Sequence, residues 1–333
     1  EWQWLMYGEE HFSTRPLTPQ SLGAIDRRDL VTFHETFWRP DRMILAVSGD
    51  FDRANLLAAL EHRFASWRSN AEPTPKVSWP PPAPMDWAAS GLYHYEKDIP
   101  QAKVMVGHRL AELLDWRSPE RFVIEVLAEL LAGRGAISRI GGRLRTAEGL
   151  VYRVSASLDA GTLWAGELRI FFDTGNSSVA RAVELVIEEM ESLRSEPVLV
   201  KELEVVKQSL LARLQLQFDT AEEVAGFLAE DELLDRPHEY WQGYLDGIAL
   251  VSADDVQRAA TTYLRPADLS CLVVGRWREV SAGAPAGEST LERLARSPVT
   301  VLVARDPLTL EVTQNEKKGA QSDADRRHGG LPR

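Results

Sequence analysis

The strongest constraint on this chain is an internal repeat. Residues 25–50 and 251–276 match at a constant offset of 226. Asp29-Leu30 corresponds to Asp255-Val256, Phe37 to Tyr263, and Arg39-Pro40 to Arg265-Pro266. Leu45, Val47 and Gly49 correspond to Cys271, Val273 and Gly275. In each copy a capping residue, Asp26 or Ser252, opens a helix. Arg-Pro ends it, because proline cannot continue the helical ladder. An apolar strand follows and stops at glycine. A supersecondary unit repeated at this distance predicts two equivalent halves, each with its own core. Both copies are therefore expected to fold as helix then strand, with each strand joining the sheet of its own domain. The copies differ in what precedes them. The second ending follows a long lead-in from Leu92 to Ala249, whereas only residues 1–24 precede the first. Equivalence of the halves predicts roughly 130 or more residues ahead of Glu1, so the chain reads as a fragment, with a degenerate first domain as the alternative.

The 333 residues are 44% hydrophobic and 26% charged, enough apolar content for a substantial core. The balance of 38 basic against 50 acidic residues gives −12, which argues against a general nucleic-acid binder or a polybasic membrane binder. No apolar run reaches the length of a membrane span. The single cysteine, Cys271, lies in the run Leu269–Val274 and reads as a small buried hydrophobe; one cysteine can form neither an internal disulfide nor a cysteine cage. Six of the 18 prolines fall between residues 71 and 91, marking an extended linker. The expected organisation is residues 1–70 as the end of a first domain, 71–91 as linker and 92–280 as a complete second domain. Residues 281–333 form an extension with a disordered tail.

Within the second half, Lys103–His108 reads as a strand and residues 119–132 as a helix with Phe122, Val126, Leu127, Leu130 and Leu131 at helical spacing. Residues 150–158 and 163–172 read as a hairpin. Helices follow at 178–193 and 198–218, then three shorter ones, then a closing strand at 269–274; residues 299–303 offer a further short strand. Strands and helices mix without strict alternation, so the fold class is α+β: a mixed or antiparallel sheet with packed helices.

The seven histidines are never four apart, so neither H-E-x-x-H nor H-x-x-E-H occurs. His34-Glu35 and His238-Glu239 are followed at the fifth position by Trp38 and Gln242 and read as solvated helix positions. There is no nucleophile elbow and no phosphate-binding loop. No catalytic residue and no metal ligand is assigned in this chain. The unusual stretch is Gly133–Arg153. It holds Arg134, Arg139, Arg143, Arg145 and Arg153 against one acid, Glu148, and places four glycines in its first ten residues. Each glycine costs a helix about 1 kcal/mol relative to alanine. Arginine's planar fork donates paired hydrogen bonds, so the stretch suits carbonyls or carboxylates.

Several motifs here resemble one family. Leu131-Ala132-Gly133, Ser138-Arg139-Ile140, Leu144-Arg145 and Gly149-Leu150-Val151-Tyr152-Arg153-Val154-Ser155 resemble the second-domain signature of the pitrilysin/insulinase-type zinc peptidases, in their mitochondrial-processing-peptidase-like, bacterial branch. Tyr7-Gly8 to Arg15-Pro16, the Arg39-Pro40-Asp41 to Asp50 ending, and Glu202-Leu203-Glu204 to Lys207-Gln208 are similar to other segments of it. The sequence departs at Thr146-Ala147-Glu148, where the family has Glu-Lys-Arg, and at Gly141-Gly142, where it has bulkier residues. The resemblance implies two homologous α/β-sandwich domains, the first incomplete here, around a peptide-holding chamber. It implies Zn2+ as cofactor, bound in the first domain by an H-x-x-E-H motif that would lie ahead of Glu1, so that this chain alone is inactive. It implies substrate binding by an Arg and a Tyr seven residues apart, which are Arg145 near the end of a short helix and Tyr152 early in a strand. The implied partners are a peptide or unfolded protein and a second subunit, as homodimer or heterodimer, in a bacterial cytoplasm or periplasm. A non-catalytic subunit of a two-chain peptidase, or a structural scaffold related to it, is the alternative.

Overall fold

The computed structural model describes residues 1–9, 11–67, 90–133, 138–162, 164–237, 239–283, 291, 299–303, 305–306 and 308–309. The linker at 71–89 and the tail beyond residue 310 lie outside them. In chain order the helices are α1 (Trp2–Tyr7), α2 (Pro19–Gly23), α3 (Arg27–Phe37), α4 (Arg53–Phe64), α5 (Glu120–Ala132), α6 (Arg139–Gly141), α7 (Val179–Ser195), α8 (Val200–Leu216), α9 (Ala221–Leu234), α10 (Tyr240–Leu250), α11 (Ala253–Tyr263) and α12 (Trp277–Ala282). The strands are β1 (Gly91–Glu96), β2 (Gln101–Arg109), β3 (Val151–Leu158), β4 (Glu167–Gly175), β5 (Ser270–Gly275) and β6 (Thr300–Val301). They make two compact units: residues 1–19, 80–207 and 250–333, and residues 20–79 and 208–249.

The first unit is a mixed six-stranded sheet of order β3-β4-β2-β5-β1-β6 with helices packed on it, the α+β architecture expected for the second half. β2 alternates along its length. Ala102, Val104 and Val106 are fully buried on one face, while Lys103 and Met105 take the other. The central strand β5 pairs parallel with β1 and antiparallel with β2. It is buried on both faces, which is why it reads as a continuous apolar run containing the buried Cys271. α5, α7 and α11 pack together over the face that carries Val104 and Phe172. Ile124, Leu127, Leu130, Val183, Val186 and Val256 are all withdrawn from solvent. On the opposite face Trp2, Met6 and Tyr7 of α1 cluster with Tyr93 and Leu272. Gly107 is required where β2 meets β4, because a Cβ there would collide with the Leu168 carbonyl.

In the second unit α9 and α10 are held by an aromatic cluster. Phe218 stacks on Phe227, and both meet the edge of Trp241. The Trp241 indole N–H donates to Asp231 at 2.8 Å, and Asp231 also pairs with the buried Arg236 guanidinium at 3.1 Å. This unit contains α3 and α4, neither of which buries a side chain.

The two copies of the repeat fold alike up to their last element. α3 and α11 each open on a reciprocal capping box, Asp26 with Asp29 and Ser252 with Asp255. Each ends before an Arg-Pro that starts a 3-10 turn, Pro40–Arg42 or Pro266–Asp268. The expectation of a paired strand in both copies is not met. Ser270–Gly275 is β5, but residues 43–48 form no ladder among the described residues. A strand is defined by its neighbours' hydrogen bonds, and the described residues of the second unit offer no neighbouring strand to this segment.

Candidate substrate-binding site

The segment before β3 is fixed from below by buried apolar residues and from the side by ion pairs. Ser138 caps α6, its hydroxyl accepting from the Gly141 N–H at 3.2 Å. Ile140 and Leu144 are fully buried and anchor the turn. Arg139 grips Glu202 with both forks, at 2.7 and 2.9 Å, and that charged hydrogen bond holds its guanidinium pKa above the ordinary value. From Gly142 to Ala147 the chain makes one π-helical turn, with the Glu148 N–H reaching back to the Arg143 carbonyl at 3.1 Å. Such a turn holds one residue more than an α-turn and re-aims the side chains it carries. Gly149 then takes a left-handed conformation, φ +64, which reverses the chain so that the Leu150 N–H donates to the Leu144 carbonyl at 2.9 Å. The Thr174 hydroxyl clamps the Leu150 carbonyl at 2.8 Å and sets the start of β3.

Arg145 sits in the π-helical turn and is exposed. Tyr152 is the second residue of β3 and is 91% exposed. Both therefore stand in the elements expected of them, on either side of the Gly149 reversal, and neither is tied up by another side chain of the described residues. Their neighbours are engaged. Arg143 turns to Glu188 and Glu189 at 3.5 and 3.9 Å, and Glu148 pairs with Arg181 at 3.3 Å. Arg134 lies outside the described residues.

One feature has no signal in the sequence. Val151 pairs with Thr174 and Val154 with Phe172, so Tyr152 and Arg153 together stand opposite the single residue Asp173. This β-bulge lies on the outermost strand of the sheet. A single strand shows no bulge in its residue pattern; only the register against its partner does.

At the far end of β2 and β4 the sheet carries a second polar cluster. The Trp2 indole N–H donates to Glu167 at 3.2 Å, and Arg109 donates to the Met6 carbonyl at 3.3 Å while lying over the Tyr7 ring. Burial raises the Glu167 carboxyl pKa. His108, the buried neighbour of Arg109 in sequence, has its pKa lowered to about 4 by desolvation. The Trp2 and Arg109 contacts tie α1 to the sheet.

Among the described residues the donor set does not fit zinc. α5 presents the fully buried Ile124, Leu127, Leu130 and Leu131 and carries no histidine. Among the described residues no group of three or more His, Cys, Asp or Glu side chains could hold a metal ion. Among them, too, no helix is long and apolar enough to cross a membrane.

Residues 24–210 match the family described as the peptidase M16 inactive domain. An uncharacterized zinc protease of Mycobacterium leprae is 26% identical over 242 residues, which cover 67% of this chain and 49% of that protein. The chain thus spans about half the length of the curated relatives it matches. A peptidase M16 inactive domain from Pseudomonas fluorescens superposes with a TM-score of 0.67 at 18% identity, covering 82% of this chain and 64% of that one. A protease from Helicobacter pylori superposes with a TM-score of 0.65 at 15% identity, covering 77% and 60%.

Proposed function

The chain belongs to the peptidase M16 inactive-domain family, and from that premise we propose that it is the substrate-holding part of a zinc metalloendopeptidase. Arg145 and Tyr152 bind the backbone of an extended peptide. The observation that carries this reading is the pair itself: a guanidinium and a phenol, both exposed, presented on a tightly anchored turn and strand. Every other described charge of that turn is paired internally. A guanidinium fork and a phenolic O–H can each donate to a peptide carbonyl. Carbonyls are common to all peptides, so these contacts position a substrate without reading its sequence.

Water attack on the peptide bond belongs to zinc chemistry, and no residue of this chain is assigned a part in it. The zinc-bearing half is supplied by another polypeptide segment, in the same protein or in a paired subunit, and peptides or unfolded proteins are the substrates. The two arrangements differ in where the metal site is encoded, not in the role of Arg145 and Tyr152.

The test is peptide affinity, measured by fluorescence anisotropy on an extended, neutral, labelled peptide. A hydrogen bond from a charged donor contributes about 1.5–3 kcal/mol, so Arg145→Ala should weaken binding about 10- to 100-fold. Tyr152→Phe should cost about threefold to tenfold, since only a neutral donor is lost. Unchanged affinity in a folded Arg145→Ala protein would remove the assignment.

A further inference from the structure

We propose that Arg153 selects for an acidic side chain in the peptide held at Arg145 and Tyr152. This rests on the peptide-holding reading above and adds to it a substrate class, extended peptides with an Asp or Glu beside the residue bound at Tyr152.

The first support is the distribution of charge. The chain carries a net −12, and this unit supplies carboxylates to two of the four described arginines of the stretch. Arg139 takes Glu202, and Arg143 takes Glu188 and Glu189. Glu148, the only acid within the stretch, is drawn away by Arg181. Arg145 and Arg153 are exposed and meet no carboxylate among the described residues. The second support is geometric. In a regular strand the residue after Tyr152 would point to the opposite face. The bulge places Tyr152 and Arg153 together opposite Asp173, whose own carboxylate is held by Lys103 at 3.1 Å. A phenol and an unpaired guanidinium are thus offered from adjacent positions of the outermost strand. Residues of an extended peptide rise about 3.3 Å each and alternate in face, so of two successive side chains one is turned toward the strand, and a carboxylate there lies within reach of the long arginine side chain.

A bulge and a charge on an edge strand also protect a sheet from pairing with another sheet. The two roles predict different results. If Arg153 only guards the edge, its removal promotes self-association and leaves peptide preference untouched.

The experiment uses peptides of one neutral extended sequence in which a single Glu is stepped along the chain, each compared with its Gln counterpart. Anisotropy is measured for the wild-type chain, Arg153→Ser and Arg153→Glu, with light scattering to follow association. The wild type should bind Glu at one position or two adjacent positions about threefold to tenfold more tightly than Gln, with the gap shrinking as salt is raised. Arg153→Ser should abolish that gap while keeping the affinity for the all-Gln peptide, and Arg153→Glu should transfer the preference to Lys at the same position. If the neutral peptide binds but Glu and Gln are equivalent at every position, or the gap survives in Arg153→Ser, the selectivity is overturned and the peptide-holding reading stands. Binding of no peptide by the wild type overturns both.

Discussion

His108 shows how a single buried group couples this sheet to pH. Its Nε2 accepts from the Arg265 N–H at 3.2 Å, and its Nδ1 lies 3.0 Å from the Arg109 carbonyl, to which it can only donate. That arrangement requires the neutral ring with its proton on Nδ1. A second proton would set an N–H against an N–H. The native pKa of about 4 lies below the ordinary 6.5, so the folded state binds fewer protons between those values. The stability this contributes is present above pH 6.5 and is lost as the pH falls toward 4. The loss amounts to about 3 kcal/mol, at about 1.4 kcal/mol per unit. Glu167, whose pKa is raised, acts with the opposite sign, gaining stability as it takes up a proton. The informative quantity is therefore the difference between wild type and His108→Gln in denaturant unfolding. We expect the wild-type free energy to fall more steeply than that of the variant between pH 6.5 and 4; parallel curves would contradict the assigned proton position. At this scale the sequence singles out Arg145 and Tyr152 by a motif of fixed spacing, and their part in binding is what we propose. Nothing in the sequence marks His108 as buried or Arg153 as the second residue of a bulge. Burial and register depend on strands distant in the chain.

Among the elements, the helix and strand positions of residues 101–275 follow from hydrophobic spacing and cap chemistry. β1 did not emerge, because Gly91–Glu96 adjoins the proline-rich stretch and its polar His94 and Glu96 break the apolar run. β4 runs from Glu167 to Gly175 rather than from residue 163, since Gly161 and Ala165 make their own isolated bridge in the connection. The more instructive difference is between α3 and α11. The two share a capping box and an Arg-Pro stop, yet Leu30 and Phe33 are 61% and 57% exposed where Val256 and Ala259 are buried. The same pattern is a core face when a sheet lies beneath it and a bare face when none does. Local signals set the helix; burial is set by what the rest of the chain provides. Val256→Ala should therefore destabilise the protein by about 2 kcal/mol, whereas Leu30→Ala should change it by no more than about 0.5 kcal/mol. Chemical denaturation of both variants checks this, and a large cost at Leu30 would show that the α3 face is covered.

For the whole molecule we propose a two-part design, on the strength of the internal repeat and the family match, in which this chain holds peptide and another segment carries metal. The exposed residues Leu30, Phe33, Ile44 and Leu45 are what such a design requires if a second sheet completes the first copy. The apolar face of α5 offers no place for a metal. Fully buried leucines and an isoleucine occupy the helix, and a zinc site there would need imidazole and carboxylate donors in their place. Composition argues against a general nucleic-acid binder but does not distinguish holding a peptide from cutting it. We propose that this chain binds extended peptide without performing the chemistry. The direct measurement is to incubate it with a labelled extended peptide and added zinc, dialyse, and examine bound peptide and metal by mass spectrometry and elemental analysis. The peptide should be recovered bound and intact, with no stoichiometric zinc retained. Chelator-sensitive cleavage with zinc retained at one per chain would contradict it.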